Sequence, residues 1–267
     1  VNTSVGGAAS VGLRVAAGAA MTAARFTRLG IESADGAGPH FGIWSGSTGA
    51  TYTDIEISIE GTGGARAIVE NSTGGTSRYR GLTVEAVGES DDVVAMYVGT
   101  DATVDVADAS ISATTSHPTS MTCTGVHVEY GTLRLTDSTV TAAGCDLDVG
   151  IHTSGDVALV DVDTRASGGQ WGYGLLVDTT SVSADRVTAN GTGSTTGIGI
   201  GFVEATIIVR GSTVGGSTAS IKDLNPPGGV LLSAARVIDS VMHNVTVGLA
   251  GRCSGVFDIA LQPYTCA

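Results

Sequence analysis

The chain has 267 residues, with 40 Gly but only 5 Pro, 42% hydrophobic, 4% aromatic and 15% charged residues. The lack of a G-X-Y period excludes collagen, and the apolar content excludes a disordered chain. A net charge of −13, from 13 basic and 26 acidic residues, excludes nucleic acid and anionic membranes as partners, because phosphate binding needs basic density.

Ser and Thr supply 59 residues, and Lys222 is the single lysine. Long helix formers are scarce, while Gly and β-branched residues point to short strands joined by many turns. No apolar run is long enough to span a membrane. The start at Val1 is read as a processed N-terminus.

In chain order, residues 1–27 are expected to form an N-terminal cap or assembly segment. Its Ala-rich part, Val15 to Ala24, is read as a capping helix or a strand of small residues. A four-residue motif then recurs: Gly12-Leu13-Arg14-Val15, Gly42-Ile43-Trp44-Ser45, Ala67-Ile68-Val69-Glu70 and Ala95-Met96-Tyr97-Val98. It continues as Gly125-Val126-His127-Val128, Gly150-Ile151-His152-Thr153, Gly174-Leu175-Leu176-Val177 and Gly197-Ile198-Gly199-Ile200. Every second position is apolar.

A second strand keeps the same rhythm. It runs through Arg28-Leu29-Gly30-Ile31, Asp54-Ile55-Glu56-Ile57, Gly81-Leu82-Thr83-Val84, Asp108-Ala109-Ser110-Ile111 and Asp137-Ser138-Thr139-Val140. Weaker copies end at Thr164 and Val187, followed by Gly211-Ser212-Thr213-Val214 and Asp239-Ser240-Val241-Met242. Such a unit cannot bury its apolar face alone, but stacked copies share one core. The predicted fold is therefore all-β: a right-handed parallel β-helix of about nine coils of 23–30 residues, each adding about 4.8 Å. Residues 1–267 form one domain in this reading. A β-propeller fits poorly, since its blades need longer repeats and aromatic signatures.

These coils resemble the right-handed β-helices of pectate lyases and phage tailspikes. The resemblance implies an architecture, not an activity. Lyases of this kind use a Lys or Arg base beside Ca²⁺-binding acids, but Lys222 in Ile221-Lys222-Asp223-Leu224 lies outside the repeats without an acidic cluster. The Asn-Thr-Asp, Gly-His-Gly and Arg-Ile-Lys motifs of the pectin hydrolases are missing from the sequence. No catalytic, metal or cofactor constellation stands out. Asp91-Asp92 is the one acidic loop with the ligands for a structural Ca²⁺, and a solvated charge cluster is the simpler reading.

Cys123 and Cys145 lie just before neighbouring repeats, where rung spacing brings equivalent Cα atoms within disulfide range. Cys253 and Cys266 bracket Gly255-Val256-Phe257-Asp258 and Pro263-Tyr264, read as a disulfide-closed hairpin cap within 248–267. This stretch is similar to the tail of bacterial surface β-helix proteins. Two bridges imply an exported, extracellular or cell-surface protein. Four of the five Asn residues, Asn2, Asn71, Asn190 and Asn244, open N-x-Ser/Thr sequons, making them candidate glycosylation sites.

If the Val126 column faces inwards, the next residue faces outwards. That column reads Arg14, Trp44, Val69, Tyr97, His127, His152, Leu176 and Gly199. Trp44, Tyr97, His127 and His152 are candidate contacts for a sugar or a second subunit, and His127 over His152 is a weak metal pair. The Asp series Asp54, Asp108, Asp137 and Asp239, with Asp161 and Asp185, is read as turn structure splayed outwards rather than a catalytic ladder. The functional expectation is a secreted, non-catalytic structural protein that self-associates into a filament, fibre or surface layer. The alternatives are a tailspike-like depolymerase and a glycan-binding adhesin.

Overall fold

The computed structural model describes residues 10–15, 25–33, 40–46, 49–72, 74–89, 92–115, 117, 122–225, 234–244, 246–247, 253–258, 260 and 262–263. All regular structure in them is β. Sheet A stacks ten strands: β1 (Ser10–Val15), β3 (His40–Ser45), β5 (Ala65–Glu70), β7 (Val93–Val98), β9 (Thr122–Val128), β11 (Leu147–Thr153), β13 (Trp171–Asp178), β16 (Thr196–Val203), β19 (Ala219–Asp223) and β22 (Thr246–Val247). Sheet B begins with the long strands β2 (Arg25–Ser33), β4 (Thr51–Gly61), β6 (Thr76–Gly88), β8 (Thr103–Thr115), β10 (Thr132–Ala143) and β12 (Asp156–Ser167). Beyond β12 each long strand is split in two. The first halves are β14 (Ser181–Asp185), β17 (Thr206–Arg210), β20 (Ala234–Ile238) and β23 (Cys253–Ser254). The second halves are β15 (Thr188–Gly191), β18 (Thr213–Gly216), β21 (Val241–Met242) and β24 (Phe257–Asp258).

The chain alternates between the sheets, and every strand pairs in parallel with its counterpart one coil away. This is a right-handed parallel β-solenoid. About seven coils, from β3–β4 to β16–β18, are built throughout, against the nine or so expected. Further rungs extend the ladders at both ends.

Two inward columns meet between the sheets. On sheet A, Ile43, Ile68, Met96, Val126, Ile151, Leu175, Ile200 and Ile221 stack in register and are all buried. On sheet B the matching column is Ile57, Val84, Ile111, Val140, Thr164, Ala189, Val214 and Met242. Thr164 is tolerated inside because its Oγ1 donates to Gly174 O at 2.6 Å.

The register corrects two sequence readings. Leu175 pairs with Ile200, so Ile200 and not Ile198 fills the core position. Ala189, not Val187, follows Thr164. Both slips are of two residues, the offset at which an alternating pattern looks the same.

The small residue that opens each motif sits where both it and its successor face inwards. A Cβ on Gly125 would lie 2.4 Å from Val140 Cγ1 and 2.6 Å from Gly150 O. Sheet A and the far arm of sheet B come too close at Gly125 for a Cβ, while Ala67 and Ala95 fit a methyl group at the same position on other coils.

The Asp series marks a bend rather than a strand end. Asp54, Asp108, Asp137, Asp161 and Asp239 are left-handed, with φ between 47° and 56°, as are Gly81 and Gly211 at equivalent positions. Each of these Asp side chains is exposed, as expected from their mutual repulsion. Arg186, φ 53°, takes the place anticipated for Asp185. Asp and Gly tolerate this conformation best, which explains the column's composition. The bend interrupts the ladder, and a following Ser repairs it. Ser138 Oγ accepts from Ala109 N on the previous coil at 3.0 Å and donates to Thr136 O at 2.6 Å. Ser212 makes the same pair of bonds with Val187 N and Arg210 O, and Ser240 with Ser212 N and Ile238 O.

Of the expected N-terminal cap, 1–9 and 16–24 lie outside the described residues, as does Cys266 of the C-terminal hairpin. Phe257 and Pro263 form an antiparallel bridge, and Asp258 Oδ1 accepts from Ala260 N and Gln262 N, each at 2.8 Å.

Candidate functional site

The outward column of sheet A reads Arg14, Trp44, Val69, Tyr97, His127, His152, Leu176, Gly201 and Lys222. It matches the expected stripe as far as Leu176. Gly201 then replaces Gly199, and Lys222, read as lying outside the repeats, occupies the next rung.

The four candidate contacts do not form one surface. Trp44 packs edge-on against Phe41 with ring centroids 5.0 Å apart, and the buried Val69 separates it from Tyr97. Tyr97, His127 and His152 do come together. Tyr97 meets His127 edge-to-face at 5.5 Å, while His127 and His152 stack at 4.8 Å with 21° between their planes. The guanidinium of Arg66 lies 5.4 Å from the centre of the Tyr97 ring. The two imidazoles thus turn faces to each other along the solenoid.

Two carboxylates complete the arrangement. The Tyr97 hydroxyl donates to Glu129 Oε2, and His152 Nε2 lies 2.8 Å from Asp178 Oδ2. Burial, then the bond to Glu129, pushes the Tyr97 phenol up to about 12. Burial, then the neighbouring His152, brings His127 down to about 4, so its imidazole is neutral at physiological pH. A neutral imidazole offers one donor and one acceptor.

These groups border an open cleft of about 390 Å³, lined by Arg66, Tyr97, His127, Glu129, His152 and Leu176. Asp92, Val94, Thr122, Thr124, Leu147 and Val149 complete its wall. Trp171, 41% exposed, is in register with Leu147 on the next coil. Asp91, the other half of the Asp pair, lies outside the described residues.

Glu129 and Asp178 are not among the residues expected from the sequence, although each sits two residues beyond a member of the outward column and therefore on the same face. Nor is Arg66. It lies three residues before Val69, and only the double inward position at Ala67 and Ile68 returns it to the outer face.

Cys123 and Cys145 are bonded, with Cα atoms 5.5 Å apart. The reason differs from rung equivalence. Cys123 is in register with Asp148, and Cys145 reaches it from the turn before β11. Asp148 Oδ1 accepts from Cys145 N at 3.0 Å and Oδ2 from Gly169 N at 2.8 Å, tying the turns of two coils together. Burial outweighs these bonds and pushes the Asp148 carboxyl up to about 6. Cys123, Cys145 and Asp148 are also the only group of three or more His, Cys, Asp or Glu among the described residues close enough to share an ion. Its sulfurs are spent on the disulfide, and His127 with His152 gathers no third ligand of that kind.

The sequons occupy different settings. Asn71 and Asn190 are exposed, while Asn2 lies outside the described residues. Asn244 Nδ2 donates to Gly216 O at 3.1 Å and Ser217 O at 3.3 Å, and a glycan there would take the place of one of the two amide hydrogens these bonds use. No protein-family model, curated protein or solved structure matches the chain.

Proposed function

We propose that the protein is an exported glycan-binding β-solenoid whose cleft on sheet A holds a neutral saccharide without transforming it. The observation that carries this reading is one cleft lined by Tyr97, paired with Glu129, and by His152, which is held from outside the lining by Asp178. Sugars present donors and acceptors on a partly apolar ring. The cleft answers with carboxylates, a neutral imidazole and a guanidinium beside Val94, Val149 and Leu176. Trp171 adds an exposed aromatic ring on the same sheet. Equivalent groups repeat at about 4.8 Å, which favours a linear chain laid along the axis. The disulfide supports export.

A neutral-glycan array followed by calorimetry tests the reading. Glu129→Gln together with His152→Ala is expected to weaken binding at least tenfold, while Arg210→Ala on sheet B leaves it unchanged. An array without a hit, or equal binding by the double variant, overturns it.

Assembly into a filament is a second reading. Among the described residues β1 and β2 each have a strand neighbour on one side only, leaving a stackable edge. Sedimentation of native material tests it, and a monomer at high concentration overturns it.

A further inference from the structure

Sheet B carries a concentration of positive charge on its outer face. Arg78 and Arg80 project from β6, two residues apart and hence on the same face. Two coils further on, about 10 Å along the axis, Arg134 projects from β10. Between them β8 places Asp105 in register with Arg78 and Arg134, and Ala107 in register with Arg80 and Thr136. Ala107 is the reason for the hollow. Its methyl group leaves open the space between Arg80 and Thr136, forming a concavity of about 240 Å³ lined by all three arginines.

Acids outnumber bases by 26 to 13, and two exposed arginines elsewhere along sheet B find carboxylate partners. Arg165 pairs with Asp163, and Arg186 with Asp161 and Asp185. Within the concavity, Arg78 Nε lies 3.7 Å from Asp105 Oδ2, a long contact. Arg80 and Arg134 have no ion pair among the described residues. Three arginines thus line a concavity with a single carboxylate, Asp105, in its wall, in a chain whose net charge is −13.

We infer that this concavity is a binding site for a tetrahedral oxyanion of the sulfate or phosphate class. Arg78 and Arg80 approach from one coil and Arg134 from two coils away, so they address different oxygens of one anion. A tetrahedral anion presents enough oxygens for all three, whereas a carboxylate presents two. Thr136 also lines the concavity, its hydroxyl directed to Val106 O at 3.5 Å. Asp105 holds Arg78 in place and limits affinity by its own charge. The site is on the opposite sheet from the saccharide cleft and does not depend on it.

The test is calorimetric titration of the full chain with inorganic sulfate, inorganic phosphate and acetate at matched ionic strength. Saturable binding of sulfate or phosphate is expected, at least tenfold tighter than acetate, and the tighter of the two names the ester class. Arg80→Ala with Arg134→Ala is expected to weaken it at least tenfold, with unchanged circular dichroism. Arg165→Ala, which removes an exposed arginine elsewhere, leaves binding intact. Asp105→Asn, which keeps the shape and removes the negative charge, tightens it severalfold. Absence of saturable binding, equal affinity for acetate, or equal loss in Arg165→Ala overturns the proposal.

Discussion

Glu70 ends β5 pointing into the interior, where Ser45 and Val98 hold the same position on the neighbouring coils. It is fully buried, and one oxygen accepts from Tyr79 Oη at 2.8 Å. Tyr79 stacks on Tyr52 at 4.4 Å, and the hydroxyls of Ser45, Ser72 and Ser77 surround the same carboxyl. No cation stands among these neighbours, so burial raises the Glu70 pKa above its usual value. A carboxyl whose folded pKa is raised contributes stability that is fully present below its unfolded value, about 4.3. That contribution is lost as pH rises through the folded pKa, with a limiting slope of about 1.4 kcal/mol per pH unit. Glu70→Gln keeps the shape and cannot ionise. Its stability relative to the native chain is expected to improve as pH rises above the unfolded value and to level off once the folded pKa is passed. Urea unfolding across that range checks this, and a constant difference would show that Glu70 is ionised throughout.

At the scale of the element, the disulfide and Asp148 act on one junction. The bridge closes a loop with a sequence separation of 22, and chain-entropy reasoning assigns such a loop about 3 kcal/mol. Cys123→Ser with Cys145→Ser is therefore expected to lower the unfolding free energy by that amount, read as a lower urea midpoint, while β9, β11 and their ladder persist. An unchanged midpoint would mean that Asp148, through Cys145 N and Gly169 N, already fixes the turn. Both cysteines were visible in the sequence as a pair, but their geometry was not, because a turn residue has no rung equivalent. The same distinction runs through the whole fold. Repetition was legible wherever a small residue preceded an apolar one, as at Gly150-Ile151, since steric and hydrophobic demands recur on every coil. It failed at Gly197-Ile198-Gly199-Ile200, where two registers satisfy the same alternation. In the cleft, Tyr97, His127 and His152 followed from periodicity, whereas Arg66 depends on a local break in alternation that single-sequence reasoning cannot place.

Over the whole molecule, each coil pairs only with the coils before and after it, so stability is the sum of coil terms and nearest-neighbour interfaces. Ile151 lies near the middle, fully buried, between Val126 on one coil and Leu175 on the other. Truncating it to Ala removes packing from two interfaces at once, with an expected cost of about 2–5 kcal/mol. In a globular core that cost spreads over the entire domain. Here it should stay local. Hydrogen exchange in Ile151→Ala is expected to accelerate most in β9, β11 and β13, less in β7 and β16, and least in β4 and β6. The N-terminal coils retain their own buried pairs, Ile43 on Ile68 and Tyr52 on Tyr79, which the substitution does not touch. Equal acceleration in every strand would show instead that the coils unfold as one cooperative unit, and that the continuous side-chain columns transmit stability further than the backbone ladders alone.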